Sequence, residues 1–297
     1  MIFPGNTPLV YLANFSRITQ NHIFAKLEHA NPTGSVKERP AFYMIENALK
    51  RGEITTHTTV IEATSGNTGI ALAAVCARRR LSLKIFMPEN MTIERRTVIS
   101  RYGAEIILTP AGDGMKGAIS EAQKEAEYPS FFYTRQFENM DNPLSHYLGT
   151  GPEILSECPG IEYLVCGIGT GGTVSGTGRF LKERKRNITI IGVEPEESAV
   201  LSGKSPDKHG IQGIGAGFIP KILDRSVIDY VQTVSTESAY DHSALASSQE
   251  GISAGLSSGA VLGSAIDYIN NHQIKGKRFV LIFPDSSDRY LSLLKNL

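Results

Sequence analysis

Short β-rich runs alternate with helical patterns along nearly the whole chain, and this alternation constrains the fold more than any other feature. Candidate strands lie at 23–28, 59–62, 83–87, 105–108, 163–166, 189–193 and 279–283. Candidate helices lie at 39–51, 68–79, 93–102, 115–127, 152–157, 173–183, 239–251 and 258–271. Alternation at this spacing argues for βαβ units, so the expected class is α/β, with central, mostly parallel sheets flanked by helices. A chain of 297 residues is long enough for two such domains. The polar stretch Asn139-Met140-Asp141-Asn142-Pro143 is the expected boundary, giving an N-terminal domain over 1–138 and a C-terminal domain over 139–297. The first strand could cross to the other domain.

Composition narrows the function classes. Thirty basic residues balance thirty acidic ones, so no net charge draws the molecule to nucleic acid or anionic lipid. The longest apolar stretch, 70–77, is far short of the ~20 residues of a membrane-spanning helix. The N-terminus lacks a basic segment and is broken by Pro4, Gly5 and Pro8, unlike a signal peptide. Cys76, Cys158 and Cys166 have no CxxC spacing, as expected for reduced thiols in a cytoplasmic protein. The 29 glycines are about one residue in ten, above the usual ~7%, and two clusters of them stand between a strand and a helix.

The first cluster is Thr64-Ser65-Gly66-Asn67-Thr68-Gly69. A strand, a small-residue turn and a helix N-terminus together make an anion site, because free backbone N–H groups and the helix dipole converge there. An ordinary helix cap of Ser, Thr and Asn is the plain structural alternative. The second cluster, Gly167-Ile168-Gly169-Thr170-Gly171-Gly172-Thr173, fits G-x-G-x-x-G, with Glu194 ending the next candidate strand. That is nominally a dinucleotide fingerprint and keeps a nicotinamide-binding oxidoreductase open. Its threonines, however, add hydroxyl donors suited to a terminal phosphate monoester. Lys37 lies in a turn leading into a helix, where the dipole disfavours a cation and would help lower its pKa. A lysine amine, a phosphate cradle and a carboxylate-type anion site are the anchors of a pyridoxal-phosphate enzyme acting on an amino acid.

The motifs carry a resemblance that runs nearly end to end. They are GNTPLV (5–10), NPTGSVKER (31–39), EATSGNTGIALA (62–73), MPENMTIERR (87–96), YGAEIILT (102–109) and TGPEI (150–154). GIGTGGTVSG (167–176), IQGIGAGFIP (211–220), GLSSGA (255–260) and DRYLS (288–292) complete the set. The chain resembles the cysteine synthase / cystathionine β-synthase family, the fold type II pyridoxal-phosphate enzymes. The resemblance implies two α/β domains with the coenzyme in the cleft between them, the N-terminal one closing on substrate. Carried over by position, Lys37 would be the Schiff-base lysine and the acid/base at Cα, and Asn67 would bond the ring hydroxyl. Gly169, Thr170, Gly171, Gly172 and Thr173 would hold the phosphate, and Ser257 would face the pyridine nitrogen. Thr64, Ser65, Gly66 and Thr68, with Gln136, would hold the substrate carboxylate, and Gly213 would line the substrate side. The implied reaction is a β-replacement: O-acetyl-L-serine and sulfide give L-cysteine through an α-aminoacrylate. The resemblance also implies a homodimer that could bind the C-terminal peptide of a serine acetyltransferase.

Relatives of the same family that use serine or cysteine, forming cystathionine or releasing sulfide, would share every anchor. The GIGAGF segment (213–218) resembles the O-acetylserine enzymes, which favours that donor. A non-catalytic member is disfavoured by the intact Lys37, Asn67 and Ser257. The seven histidines show no metal-ligand spacing, so no metal is expected. Gly255-Leu256-Ser257-Ser258-Gly259 fits G-x-S-x-G, but a helix rather than a strand is expected before it, so a serine hydrolase is not favoured.

Overall fold

The computed structural model describes residues 3–64, 66–91 and 93–290. The chain forms two compact units, one of Met1–Pro4 and Lys37–Asn142, the other of Gly5–Val36 and Pro143–Leu297. The chain therefore passes between units at Val36–Lys37 as well as at Asn142–Pro143. This corrects the single boundary drawn from the sequence: residues 5–36, assigned there to the N-terminal domain, belong to the second unit.

The strands are β1 (Leu9–Tyr11), β2 (His22–Leu27), β3 (Thr59–Ala63), β4 (Ser82–Pro88), β5 (Glu105–Thr109), β6 (Phe131–Tyr133), β7 (Tyr163–Gly167), β8 (Thr189–Pro195), β9 (Tyr230–Val234) and β10 (Arg278–Phe283). The α-helices are α1 (Ala13–Thr19), α2 (Glu38–Arg51), α3 (Asn67–Arg79), α4 (Ile93–Arg101), α5 (Gly114–Glu125), α6 (Asp141–Ser145), α7 (Gly151–Glu157), α8 (Gly172–Arg184), α9 (Thr236–Glu250) and α10 (Leu256–Asn271). In the first unit the sheet order is β5-β4-β3-β6, all parallel. In the second it is β1-β2-β10-β7-β8-β9, parallel except for the antiparallel edge pair β1–β2. Residues 5–36 join the second unit because β2 pairs with β10 over its whole length, from Arg278 opposite His22 to Phe283 opposite Leu27.

Successive strand residues point to opposite faces, so a strand covered on both sides reads as a continuous apolar run. Along β10, Phe279, Leu281 and Phe283 enter the core shared with α9 and α10, while Val280 and Ile282 enter the core shared with α7 and α8. The first unit does the same. Val60 of β3 packs with Ile45 of α2 and Leu72 of α3, while Ile61 and Ala63 pack with Ala118 and Ala122 of α5.

The polar stretch at 139–143 is not an open linker. Asn139 Oδ1 accepts the N–H of Asp141 at 2.9 Å and caps α6. The helical path then runs through a π-helical turn, His146–Thr150, into α7. Just before the GLSSGA motif, α9 ends at Glu250, and Gly251 carries a left-handed φ of 68°. The helix expected before the motif is α9, and a short irregular segment joins it to α10. Among the described residues, no helix is long and apolar enough to cross a membrane.

Candidate active site

The glycine-threonine turn of the second unit connects β7 to α8, a 13-residue helix whose N-terminus has no side-chain cap. Gly171 occupies the capping position with φ 85°, a conformation glycine adopts without a Cβ penalty. The Thr170 hydroxyl accepts the N–H of Gly172 at 3.3 Å. Backbone N–H groups and hydroxyls are thereby gathered at the positive end of a helix dipole, the arrangement that binds a phosphate. Gly169 packs against the 213–217 segment so closely that a Cβ there would lie 2.3 Å from the Gly213 carbonyl oxygen. Glycine at 169 is a steric necessity.

Gly213, with φ 96°, in turn faces Ser257; a Cβ on Gly213 would sit 3.6 Å from the Ser257 hydroxyl. The phosphate-type turn, Gly213 and Ser257 therefore form one contiguous surface. Ser257 stands in the first turn of α10 and is 1% exposed. Its side chain is turned into the protein beside Gly213 rather than to solvent. A neutral hydroxyl at a helix N-terminus suits an uncharged ring nitrogen. The residues of this unit fit a phosphorylated pyridine.

In the first unit the other turn leads from β3 into α3. Gly66 caps α3 without a side-chain bond, and a Cβ at Gly66 would meet nothing within 4 Å, so the helix N-terminus lies open there. The Thr64 hydroxyl accepts the N–H of Gly66 at 3.3 Å. Thr68 Oγ1 donates to Gln136 Oε1 at 2.7 Å, bringing together two residues 68 positions apart. With its oxygen so engaged, Gln136 has its amide donor left for an anion. Asn67 begins α3 and is half-buried. Ser65 lies outside the described residues.

Lys37 occupies the capping position of α2, a 14-residue helix, and is half-buried. The preceding chain is held by the N–H of Val36 on the Pro284 carbonyl at 2.8 Å. Glu38, buried in the first turn of α2, pairs with Arg78 at 2.7 Å. Lys37 thus stands at the positive end of the α2 dipole.

Comparison with known proteins decides the class. A family model described as pyridoxal-phosphate dependent enzyme matches residues 2–285. The chain belongs to that family. It is 45% identical to a cysteine synthase of Staphylococcus aureus over 290 residues, 97% of this chain and 93% of that protein. Among solved structures, a cysteine synthase from Entamoeba histolytica superposes with a TM-score of 0.95 at 39% identity, covering 99% of this chain and 89% of the other. An O-acetylserine dependent cystathionine β-synthase from Helicobacter pylori superposes with a TM-score of 0.91 at 40% identity, covering 98% of each chain.

Family membership removes the nicotinamide alternative, and the structure supplies the physical reason. The Glu194 carboxylate is buried and consumed locally, accepting the N–H groups of Leu201 and Ser202 and the Ser202 hydroxyl at 2.6–2.9 Å. It is not available to a ribose. Two residues were not singled out from the sequence. His146 is 1% exposed, with Nε2 3.3 Å from the Thr173 hydroxyl and Nδ1 2.9 Å from that of Thr150. Its π-helical turn, a feature that often marks functional sites, was the missing signal, and periodicity does not show it. Glu62, at the end of β3, is the other. Burial pushes its carboxyl up to about 7, against the opposing effect of hydrogen bonds from Thr134 and the N–H groups of Gln136 and Ala63.

Proposed function

We propose that the protein makes L-cysteine from O-acetyl-L-serine and sulfide, a β-replacement dependent on pyridoxal phosphate. The observation that carries this reading is the presence, in one chain, of two anion-type helix N-termini, at α3 and α8, and a half-buried lysine at the start of α2. When bound, the coenzyme supplies an electron sink that lets the α-proton and then the β-substituent of an amino acid depart. Lys37 would anchor it covalently and, once the substrate's amino group has displaced it, its freed amine would take the proton from Cα. Thr64, Gly66, Thr68 and Gln136, together with Ser65, bind the substrate carboxylate and orient the Cα–H bond towards that amine. Gly169, Thr170, Gly171, Gly172 and Thr173 hold the phosphate, and Asn67 binds the ring hydroxyl. Gly213 leaves room for the substrate side chain.

Ser257 sets the outcome at the β-carbon. Its hydroxyl does not hold a proton on the ring nitrogen as a carboxylate would, and the positive end of α10 opposes protonation there further. The negative charge developing at Cα is stabilised less, so expulsion of acetate from Cβ outruns transamination or racemisation. We extend the same reading to a cytoplasmic homodimer whose substrate site also accepts the C-terminal peptide of a serine acetyltransferase.

The test is a panel of donors, O-acetylserine, serine and cysteine, each offered with sulfide and with homocysteine to the purified enzyme. O-acetylserine with sulfide should give kcat/KM at least about tenfold above every other pair, a difference of about 1.4 kcal/mol in transition-state binding. Serine with homocysteine as the best pair would overturn the reading.

A further inference from the structure

Glu62 is a buried acid for which the reaction described above has no task. Its surroundings nevertheless lead directly to the loop that receives the substrate. The carboxylate accepts three hydrogen bonds: from the Ala63 N–H at 2.9 Å, from the Gln136 N–H at 3.1 Å, and from the fully buried Thr134 hydroxyl at 2.5 Å. It thereby ties the end of β3 to the turn that follows β6, more than seventy residues further along the chain. That turn is secured again by Asn139 Nδ2 on the Thr134 carbonyl at 3.1 Å and by Asn142 Nδ2 on the Gln136 carbonyl at 2.9 Å. Gln136, so fixed, accepts from Thr68 in the carboxylate loop.

We propose that Glu62 is a positioning residue for substrate: it fixes the backbone of Gln136, whose Oε1 takes the Thr68 hydroxyl proton, so that an amino-acid carboxylate meets the Gln136 amide donor already in place. This rests on the reading of the 64–68 loop and Gln136 as the carboxylate subsite. A buried carboxylate is a costly way to hold a turn, since it must be desolvated. Its two oxygens, however, accept from two backbone N–H groups and a hydroxyl at once.

The position has a consequence for pH. Protonated, Glu62 reverses its bond with Thr134, donating to that hydroxyl, and keeps lone pairs for both N–H groups. The turn therefore holds in both states, and ionisation adds only a negative charge on the strand that leads into the carboxylate loop. Burial pushes the acid up to about 7, and these three hydrogen bonds oppose the rise. From β6 the titratable group coupled to it is the Tyr133 phenol, in register with Ile61 and so on the other face of the sheet; that phenol is raised by burial and by Glu62, with Arg135 and Glu138 acting on it in opposite senses. From β4 the residue in register with Glu62 is Ile85, while Lys84 pairs with Glu105 and Glu125. Because like charges repel, KM for O-acetylserine should rise as the pH passes through about 7.

The experiment compares the wild-type holoenzyme with E62Q, E62A and T134V, the last removing only a hydroxyl in case the acid variants fold poorly. All should retain bound coenzyme, seen as the visible absorption of the holoenzyme. KM for O-acetylserine should rise about tenfold or more in E62A and severalfold in T134V, with kcat changed less than about threefold. In E62Q the rise in KM between pH 6 and 8.5 should vanish. Unchanged KM in E62A and T134V, or a pH profile in E62Q identical to wild type, would overturn the positioning role while leaving the functional reading intact. A wild-type enzyme that binds coenzyme but no amino-acid carboxylate would bring down both.

Discussion

In the proposed reaction a lysine and a serine carry most of the chemistry, and each would owe its role to where its helix begins. Lys37 stands at the start of α2 and Ser257 in the first turn of α10, so both feel the positive end of a dipole. In that proposal the dipole would favour the neutral amine at Lys37 and, at Ser257, disfavour a protonated ring nitrogen. Replacing the hydroxyl by a carboxylate should reverse the second effect. In S257D the share of turnovers lost to transamination or racemisation should rise by about tenfold at the expense of cysteine, as measured by product partition with O-acetylserine; an unchanged partition would contradict the role given to Ser257. At this scale the sequence was informative wherever a residue sits in a contiguous motif. NPTGSVKER placed Lys37 at a helix start, and GLSSGA placed Ser257. Glu62 also sits in a motif, but its meaning depends on Thr134 and Gln136, which no local pattern connects to it. His146 escaped for the same reason, since its partner Thr173 lies 27 residues on.

At the scale of elements, the two strand-turn-helix units were readable because a glycine cluster between an apolar run and a helical pattern marks a tight turn from a strand into a helix. The close approach of the 167–173 turn to the 213–217 segment was not readable, since it depends on tertiary packing. It makes a sharp prediction. A methyl group at 169 would fall 2.3 Å from the Gly213 carbonyl oxygen and must push the two segments apart. G169A should therefore weaken coenzyme binding by about tenfold or more, measured by titrating the apoenzyme with pyridoxal phosphate; wild-type affinity would show that the turn does not hold the phosphate. The strands missed from sequence, β1, β6 and β9, are short or carry polar residues at alternate positions. All three lie at the edge of a sheet, where burial no longer enforces an apolar run. The helices missed, α1 and α6, are 7 and 5 residues long, too short for a periodic signal.

For the molecule as a whole, the α/β class followed from alternation alone, but the assignment of segments to sheets did not. β2 joins the sheet of the second unit through pairing with β10, some 250 residues away, and such pairing leaves no trace in local sequence. The outcome is that the chain enters the first unit at Lys37 itself. All the chemistry proposed for the molecule depends on that residue. Its most direct test is to reduce the purified holoenzyme with borohydride, digest it and locate the modified lysine by mass spectrometry. The phosphopyridoxyl group should be found on Lys37 alone, with the visible band lost on reduction and K37A unlabelled. A label on another lysine, or a wild-type protein that carries no coenzyme, would contradict the covalent role of Lys37.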